Sequence, residues 1–378
     1  MIYFDHNATT PILPEVQEEM NLAMRDYWGN PSSTHSVGRK AFAQLEKARE
    51  RLASLLGAKA KEIFFTSGGT EADNLAIQGI AKNYPGCEIL VSAIEHPAVH
   101  DAAHALSMEG FTVKDISVDE KGLLKLQSIQ SLLSEKTKLI SVMLANNEIG
   151  TIQPIEQIRP LLQNRDIVVH SDAVQAFGKI PINVQNLNVD LLSISAHKIY
   201  GPKGCGAIFI KQGTKIFPKT FGGNQERGIR TGTENVPAIL GFVKAAEMAI
   251  LKIEHEYDRL KTLTSLLFDE ISSKIETIIL NGDMENKIPG TLNICFSGAE
   301  TESIIASLDQ EGICVSGGSA CSSGSISASR TLLSIGRRKV DAVCAIRFSL
   351  GLNSTKDEVL KTVEVLTSVV KRIRIVNQ

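Results

Sequence analysis

Short runs of apolar residues alternate, along the first two thirds of the chain, with segments whose apolar positions recur at helical spacing. The runs predict β-strands at 62–65, 88–94, 112–116, 139–144, 167–170, 190–195 and 206–210. The helical patterns lie at 40–57, 72–83, 97–109, 126–133, 155–164 and 172–177, after an irregular stretch at the start. Apolar strands that alternate with helices indicate an α/β domain in which helices cover both faces of a mostly parallel sheet.

The pattern changes after Gly223. A long helical stretch at 237–266 leads into a second set of strand and helix patterns that extends to Gln378. We therefore predict a connecting helix followed by a smaller C-terminal domain. The segment 316–329 is rich in serine and glycine and has almost no bulky side chain, so we expect a mobile loop there.

Composition excludes several classes of protein. The 378 residues are 43% hydrophobic and 22% charged with a net charge of −2, values typical of a globular protein rather than a disordered one. The charge balance offers no basis for direct nucleic-acid binding, and no apolar run approaches the ~18–20 residues of a membrane span. The start, MIYFDHNATTP, lacks the basic segment of a signal peptide, and six cysteines without a CxxC pair do not suggest a disulfide framework. We expect a cytoplasmic protein that does not act at a membrane.

A glycine-rich turn joins a predicted strand to a predicted helix in the segment FTSGGTEADNL, residues 65–75. Free N–H groups at the start of a helix, together with the helix dipole, make such a turn a possible phosphate site. The segment is neither a dinucleotide fingerprint nor a Walker loop. A capped turn without a ligand is the more common interpretation of this motif alone.

Two charged residues follow later strands. Asp172, in HSDAVQ, falls at the carboxyl end of an apolar strand, where ligands of α/β proteins bind. It could pair with a protonated ring nitrogen, or only cap a helix. Lys198, in SAHKIYGPKGCG, lies between a strand and a Gly/Pro turn. Lysines in such places are usually solvated, but a desolvated lysine can form a Schiff base.

Histidine and cysteine side chains supply further candidates. His96, His100 and His104 have the spacing of one helix face, which suggests a metal site, but the motif is not HExxH. Pro97 at the first helical position places His96 in the helix cap, so we expect no metal site. We expect His96 to act in acid/base chemistry or to stack on a ring. Cys321 has only small neighbours that cannot bury it, which suits a thiol used in group transfer.

Ten motifs occur together in one order: DHNATTP, GNPSSTHSVG, FTSGGTEADNLAI, EHPAV, ANNEIGTIQPI, HSDAVQAFGKIPI, SAHKIYGPKGCGA, RTGTENVP, SACSS and IRFSLG. In this combination the chain resembles, over essentially its whole length, the pyridoxal-phosphate cysteine desulfurases of the NifS/IscS type in the class-V aminotransferase superfamily. The resemblance implies fold type I, with a three-layer large domain and a seven-stranded, mostly parallel sheet over residues 15–250. Residues 1–14 and 251–378 would form the smaller α+β domain that carries the cysteine loop.

The resemblance also implies how pyridoxal 5'-phosphate is bound. Lys198 would hold the cofactor covalently, Asp172 would pair with its ring nitrogen, and His96 would stack on the ring and move protons. Two side chains would lie near the phenolic oxygen of the ring, Gln175 and Asn147. The phosphate would be held by four residues, Gly69, Thr70, Ser195 and His197. Thr233 would reach the phosphate of a neighbouring subunit, which implies a homodimer.

The implied reaction converts L-cysteine to L-alanine. Arg347, with Asn147 nearby, would bind the substrate carboxylate, and the sulfur would be left as a persulfide on Cys321. It would then pass to a protein acceptor, such as an iron–sulfur scaffold or a tRNA-thiolation enzyme. Two departures from the family bear on the acceptor: residues 326–329 read ISAS where a Leu-x-Pro-Ser pattern is common, and the chain ends soon after its last helical pattern.

Other interpretations predict different features. Another fold-type I enzyme, a selenocysteine lyase or an aminotransferase, is the alternative within enzymology, and an aminotransferase would not need Cys321. A catalytically idle sulfur-relay subunit predicts the loss of Lys198, Asp172 or Cys321, and all three are present.

Overall fold

A computed structural model describes residues 1–318 and 328–376 of the chain. In chain order the strands are β1 Ile2–Tyr3, β2 Ile63–Thr66, β3 Glu88–Ser92, β4 Thr112–Ile116, β5 Thr137–Ser141, β6 Val168–Asp172, β7 Leu191–Ser195, β8 Gly206–Ile210, β9 Ile278–Asn281, β10 Thr291–Phe296, β11 Ile313–Cys314 and β12 Ala345–Ser349. The α-helices are α1 Pro14–Asp26, α2 Ser36–Leu56, α3 Gly69–Ala81, α4 Pro97–Ala105, α5 Leu126–Leu132, α6 Ile158–Leu161, α7 Val184–Leu187, α8 Val236–Leu251, α9 Ile253–Lys274, α10 Thr301–Gln310, α11 Arg330–Ser334, α12 Lys339–Ala342 and α13 Lys356–Val376.

The large sheet has seven strands in the order β2-β8-β7-β6-β5-β3-β4. Its strands pair in parallel except β8, which is antiparallel to both of its neighbours. All seven strands predicted from the apolar runs are present, and the predicted mostly parallel arrangement is confirmed. The parallel strands β3, β5, β6 and β7 end at one edge of the sheet, and the residues that follow them are therefore brought together there.

Helices cover both faces of this sheet because successive side chains of each strand enter different cores. Leu90 and Leu192 lie in one core, together with residues of α2 and α8. Their strand neighbours Val91 and Leu191 lie in the other, together with residues of α3 and α4. A strand with both faces buried has no reason to alternate apolar with polar residues, which explains the continuous apolar runs in the sequence.

A second, smaller sheet, in the order β12-β10-β9, is antiparallel throughout. Its separate core joins the strands to α9, α10 and α13, and includes Phe4 from the start of the chain. Strand β1 pairs with β11, which ties the first residues to this C-terminal region. The exact bounds predicted for the two domains stay a prediction. No helix of the described residues is both long and apolar enough to cross a bilayer.

Three local predictions were wrong. Residues 173–177 form turns instead of a helix: the Asp172 carboxylate accepts the Val174 N–H at 2.8 Å, as a helix cap does, but the left-handed backbone of Gly178 ends the segment after one turn. The helix predicted at 237–266 is two helices, α8 and α9, which break at Lys252 where the chain passes from one core to the other. The irregular start contains α1, whose pattern is weak because it buries only Val16 and Ala23.

A buried ion pair fastens α2 to the rest of the large domain. Arg49 donates from two guanidinium nitrogens to Glu226, at 2.7 Å each, and Glu226 also accepts the Phe65 N–H at 2.9 Å. Both charged side chains are almost fully buried, at 3% and 1% exposure. Helix α2, strand β2 and the loop that contains Glu226 are therefore held at one point.

We expect Arg49→Met to lower the free energy of unfolding by about 3–5 kcal/mol, because it leaves the Glu226 carboxylate buried without its partner. Urea unfolding of the purified variant measures this. Arg51→Met is the matched control, since Arg51 also binds a glutamate, Glu247, but is 39% exposed. That change should cost less than about 1 kcal/mol. Equal losses in the two variants would contradict the role given to burial.

Candidate active site

One end of the site is a cluster of hydrogen-bond donors at the start of α3. This helix begins at Gly69, directly after β2, and the N–H groups of its first turn have no acceptor within the helix. Ser195 ends β7 beside it, and its buried Oγ has no hydrogen-bond partner among the described residues. A Cβ on Gly69 would lie only 2.7 Å from Val174 Cγ2 and 3.7 Å from Ser195 Cβ, so a side chain would fill this cradle.

Asp172 and Lys198 lie at the carboxyl ends of the neighbouring strands β6 and β7. Asp172 is the last residue of β6, and Lys198 ends a short 3₁₀ turn, Ala196–Lys198, that follows β7. The Lys198 ammonium donates to the carbonyl oxygens of Asn7 at 2.6 Å and Ala8 at 2.7 Å. An acid and an amine are thus brought to one edge of the sheet, as the sequence predicted.

Two buried carboxyls lie beneath this edge. Burial raises the pKa of Asp172 to about 6, although the Val174 N–H and the charge of Lys198 oppose the shift. Burial, and next the nearby Asp172, raise the pKa of Asp73 well above its usual range. Of the two, Asp172 therefore ionises first, and a cation placed against it would favour its charged form further.

His96 is the N-cap of α4, as Pro97 predicted, and its Nδ1 accepts the Ala98 N–H at 3.1 Å. Burial, as the largest cause, and the positive charges of Lys198 and Arg330 together lower the pKa of His96 to about 4. The ring is consequently neutral near pH 7. Because Nδ1 is the acceptor, the proton of the neutral ring is assigned to Nε2.

Arg347, in β12, brings a buried cation from the small sheet. Its side chain is 2% exposed, and its terminal nitrogens donate to the Asn147 carbonyl at 3.0 Å and the Asp5 carboxylate at 2.8 Å. The third nitrogen, Nε, is buried without a hydrogen-bond partner among the described residues. An unpartnered guanidinium N–H is a place where a carboxylate can bind.

The structure brings most of the predicted site residues into one cavity of about 190 Å³. The predicted residues that line it are Gly69, Thr70, His96, Asn147, Asp172, Gln175, Ser195, His197, Lys198 and Arg347. Thr233 does not line it and lies in an exposed loop before α8. Cys321 and most of the predicted mobile loop lie outside the described residues.

Residues that the sequence did not single out also take part. Asn7 and Met143 line the cavity, and the Asn7 carbonyl accepts hydrogen bonds from both Lys198 and Gln175. Lys179 was missed as well, although its ammonium lies 2.9 Å from both Asn7 Oδ1 and Gln175 Oε1. The only sign in the sequence that these residues belong to the site was their position in motifs: Asn7 lies in DHNATTP and Lys179 in HSDAVQAFGKIPI.

The three histidines do not share one site. His96 lines the cavity, whereas His100 and His104 stack at 4.2 Å between ring centroids. His104 Nε2 lies 3.2 Å from the Asp115 carboxylate. Among the described residues, the group that could hold a metal ion consists of His100, His104 and Asp115, and does not include His96.

The donors and acceptors in the cavity fit pyridoxal 5'-phosphate. The start of α3 and the unpartnered Ser195 hydroxyl suit a phosphate, which needs several donors. The Asp172 carboxylate suits a protonated ring nitrogen, and the Lys198 amine suits the aldehyde carbon. These groups face one cavity, as a single ligand requires.

Comparison with known proteins identifies the class that this fold and site define. Residues 2–361 match the family model for class-V aminotransferases, and the chain belongs to this family. The family depends on pyridoxal phosphate, in agreement with the fit of the cavity.

The relatives place the chain more narrowly. The cysteine desulfurase IscS of Dictyoglomus turgidum is 45% identical over 100% of this chain and 96% of its own length. A solved NifS-like protein has a TM-score of 0.92 and 37% identity, over 98% of this chain and 99% of the other. The structure of SspA in complex with cysteine has a TM-score of 0.79 and 33% identity, over 93% of this chain and 99% of the other. The chain is a member of the cysteine desulfurases of the IscS/NifS type.

Proposed function

We propose that this cysteine desulfurase converts L-cysteine to L-alanine in the cavity described above and leaves the sulfur as a persulfide on Cys321. The observation that carries the proposal is the meeting of Lys198, Asp172 and Arg347 in one cavity, although they come from different strands and two separate sheets. An amine, a carboxylate and a guanidinium in that arrangement suit the cofactor aldehyde, the cofactor ring and the carboxylate of an amino acid.

The residues that would hold the cofactor follow from their chemistry. The N–H groups at the start of α3 and the Ser195 hydroxyl would bind the phosphate, with Asp172 at the ring nitrogen and Lys198 on the aldehyde carbon. When bound, pyridoxal phosphate withdraws electrons from an attached amino acid and makes its Cα proton acidic.

Lys198 is the proposed proton carrier at Cα. The carbonyl oxygens of Asn7 and Ala8 hold its Nζ in place and stabilise the ammonium that results from proton uptake. His96 is neutral and engages its Nδ1 with the Ala98 N–H, so it presents Nε2–H as a donor. The geometry thus favours ring stacking and proton donation by His96 over proton removal.

The Arg347 guanidinium would orient the substrate through its carboxylate, while Asn147 lines the same cavity. The Cys321 thiolate then attacks the substrate sulfur. A new S–S bond forms as the substrate carbon–sulfur bond breaks, and its electron pair passes to the carbon side. That carbon takes up one proton and becomes the methyl group of alanine, and Cα regains the proton that it lost to Lys198.

The partners are part of the proposal. We propose a homodimer, in which Thr233 reaches the phosphate of the other subunit, because bulky apolar side chains such as Trp28 and Phe221 are 72% and 76% exposed. The persulfide would pass in the cytoplasm to a protein acceptor, an iron–sulfur scaffold or a tRNA-thiolation enzyme. The IscS name of the relatives favours the scaffold.

Incubation of the wild type with L-cysteine tests the reaction directly. Alanine should appear, and mass spectrometry should find the mass of one additional sulfur atom on the peptide that contains Cys321. Treatment with a thiol reductant should release that sulfur as sulfide. If alanine does not form, or forms while no sulfur is bound to the protein at any time, the proposal is wrong.

The role of Arg347 predicts a change in substrate affinity. Arg347→Lys should raise the KM for L-cysteine by about tenfold or more while kcat changes much less, because a lysine cannot reproduce the paired donors of a guanidinium. Steady-state alanine production measures both constants. Arg338→Lys is the matched control, since Arg338 is 77% exposed and pairs with Asp341. An unchanged KM in Arg347→Lys would contradict the proposal that Arg347 binds the substrate carboxylate.

A further inference from the structure

Lys179 is a partly buried lysine beside the cavity that the proposed reaction does not use. It lies in the turns after β6, and its ammonium is 2.9 Å from Gln175 Oε1 and 2.9 Å from Asn7 Oδ1. A charged side chain that makes two short contacts with polar groups next to an active site requires a physical explanation.

The two contacts determine how both amides are oriented. An ammonium can only donate, so the amide oxygens of Gln175 and Asn7 must face Lys179, and the two NH₂ groups must face away. Gln175 Nε2 then donates to the Asn7 carbonyl at 2.8 Å, with Gln175 itself lining the cavity. Without Lys179 the Gln175 amide could turn over and present an acceptor where it now presents a donor.

Asn7 extends this arrangement to both sheets. Its Nδ2 donates to Thr291 Oγ1, in β10, at 2.9 Å and to the Asn147 carbonyl at 3.2 Å. Its backbone carbonyl accepts the Lys198 ammonium at 2.6 Å. The two lysines therefore bind the side chain and the backbone of one residue, which brings two like charges close together.

We propose that Lys179 is a positioning residue of the active site, which holds Gln175 Nε2 as a donor toward the bound cofactor and opposes the positive charge on Lys198. The inference rests on the proposed function, because Gln175 and Lys198 act on the cofactor there. The first part depends on hydrogen-bond geometry, and the second on the nearness of two cations.

The charges around Lys179 favour this interpretation. Lys198 and Arg347 are the cations that oppose its charge, and burial, as the largest cause, lowers the pKa of Lys179 to about 7. The neighbouring rings of His6 and His197 have pKa values lowered chiefly by burial. The two nearby carboxylates interact with the other cations and not with Lys179: Asp5 pairs with Arg347, and Asp172 interacts with Lys198. Among the described residues, no carboxylate forms a hydrogen bond or ion pair with Lys179.

A titration of the cofactor-loaded protein without substrate tests the inference. The visible absorbance of the bound cofactor is followed against pH for the wild type, Lys179→Met and Lys179→Arg. Removal of the charge should favour proton uptake at the Lys198 nitrogen and move the midpoint up by about one pH unit. The midpoint of the arginine variant should lie at or below that of the wild type, because arginine keeps its charge at every pH of the titration. Equilibrium dialysis should show cofactor binding weakened about tenfold in Lys179→Met.

Lys203→Met is the control, because Lys203 is exposed and follows Lys198 in the same segment, and its midpoint and cofactor affinity should not change. Lys179→Gln serves as a second neutral variant should the methionine variant unfold by circular dichroism. An unchanged midpoint together with unchanged cofactor affinity, in a folded neutral variant, overturns the inference. No L-cysteine is present in these titrations, so a wild type that makes no alanine would contradict the proposed function while this test kept its meaning.

Discussion

Lys198→Ala should reduce the rate of alanine production from L-cysteine by about a thousandfold or more, because one side chain serves as both the covalent anchor of the cofactor and the proton carrier at Cα. The Nζ atom has two fixed acceptors, the carbonyls of Asn7 and Ala8, and alanine leaves the Asn7 carbonyl with only the Gln175 amide as donor. The variant should also lose the visible band of lysine-bound cofactor. Stopped assays of alanine and an absorbance spectrum measure the two effects.

Lys203→Ala controls for the loss of a lysine from the same segment and should retain wild-type turnover. A supplied small amine should restore part of the activity of Lys198→Ala, because the cavity left by the side chain can admit a free base. Turnover in Lys198→Ala at a rate near the wild type would exclude Lys198 as the reacting amine and require another anchor for the cofactor.

Cys321→Ala should leave cofactor binding unchanged and abolish persulfide formation, with alanine production reduced by about a hundredfold or more. Without the Cys321 thiol, no nucleophile is present to attack the substrate sulfur and take it from the carbon. The measurement combines the rate of alanine release with the mass of the peptide that carries residue 321.

Cys314→Ala is the matched control, because Cys314 is an incompletely buried thiol in the C-terminal region of the chain. Desolvation, as the largest cause, raises the pKa of the Cys314 thiol, so little of the reactive thiolate forms there. Cys314→Ala should therefore behave as the wild type. If Cys321→Ala still makes alanine at the wild-type rate, the substrate sulfur leaves by a route that does not use Cys321, and the persulfide proposal is wrong.

The strands of the large sheet could be predicted because their cause is local. Each is a short apolar run whose two faces are both buried, and such a run is visible without knowledge of its neighbours. The turns after Asp172 could not be predicted, since the residues there have ordinary helical propensity. The Asp172 carboxylate caps this segment by accepting the Val174 N–H, and the left-handed backbone of Gly178 ends it before a helix can form.

Much of the site was open to prediction for a different reason. Gly69, Asp172 and Lys198 follow strands of the sheet, and parallel strands end at a common edge. Their chemical roles came from the resemblance to a family, which attached a function to motifs that are weak one by one. The position of Arg347 in the sequence did not predict its place in the site. Arg347 comes from the smaller sheet and reaches the cavity only because the two regions are in contact.

The sequence by itself determined the class of fold, the order of the strands along the chain and the set of reactive side chains. The tertiary structure decided which groups meet: the Asn7 carbonyl and Lys198 are 191 positions apart, and Lys179 orients a side chain 172 positions away. A backbone carbonyl carries no mark of its partner in the amino-acid code, and a lysine that orients an amide has the same letter as one in solvent. Such contacts depend on where folding places the first residues of the chain, which no local pattern of apolar and polar positions records.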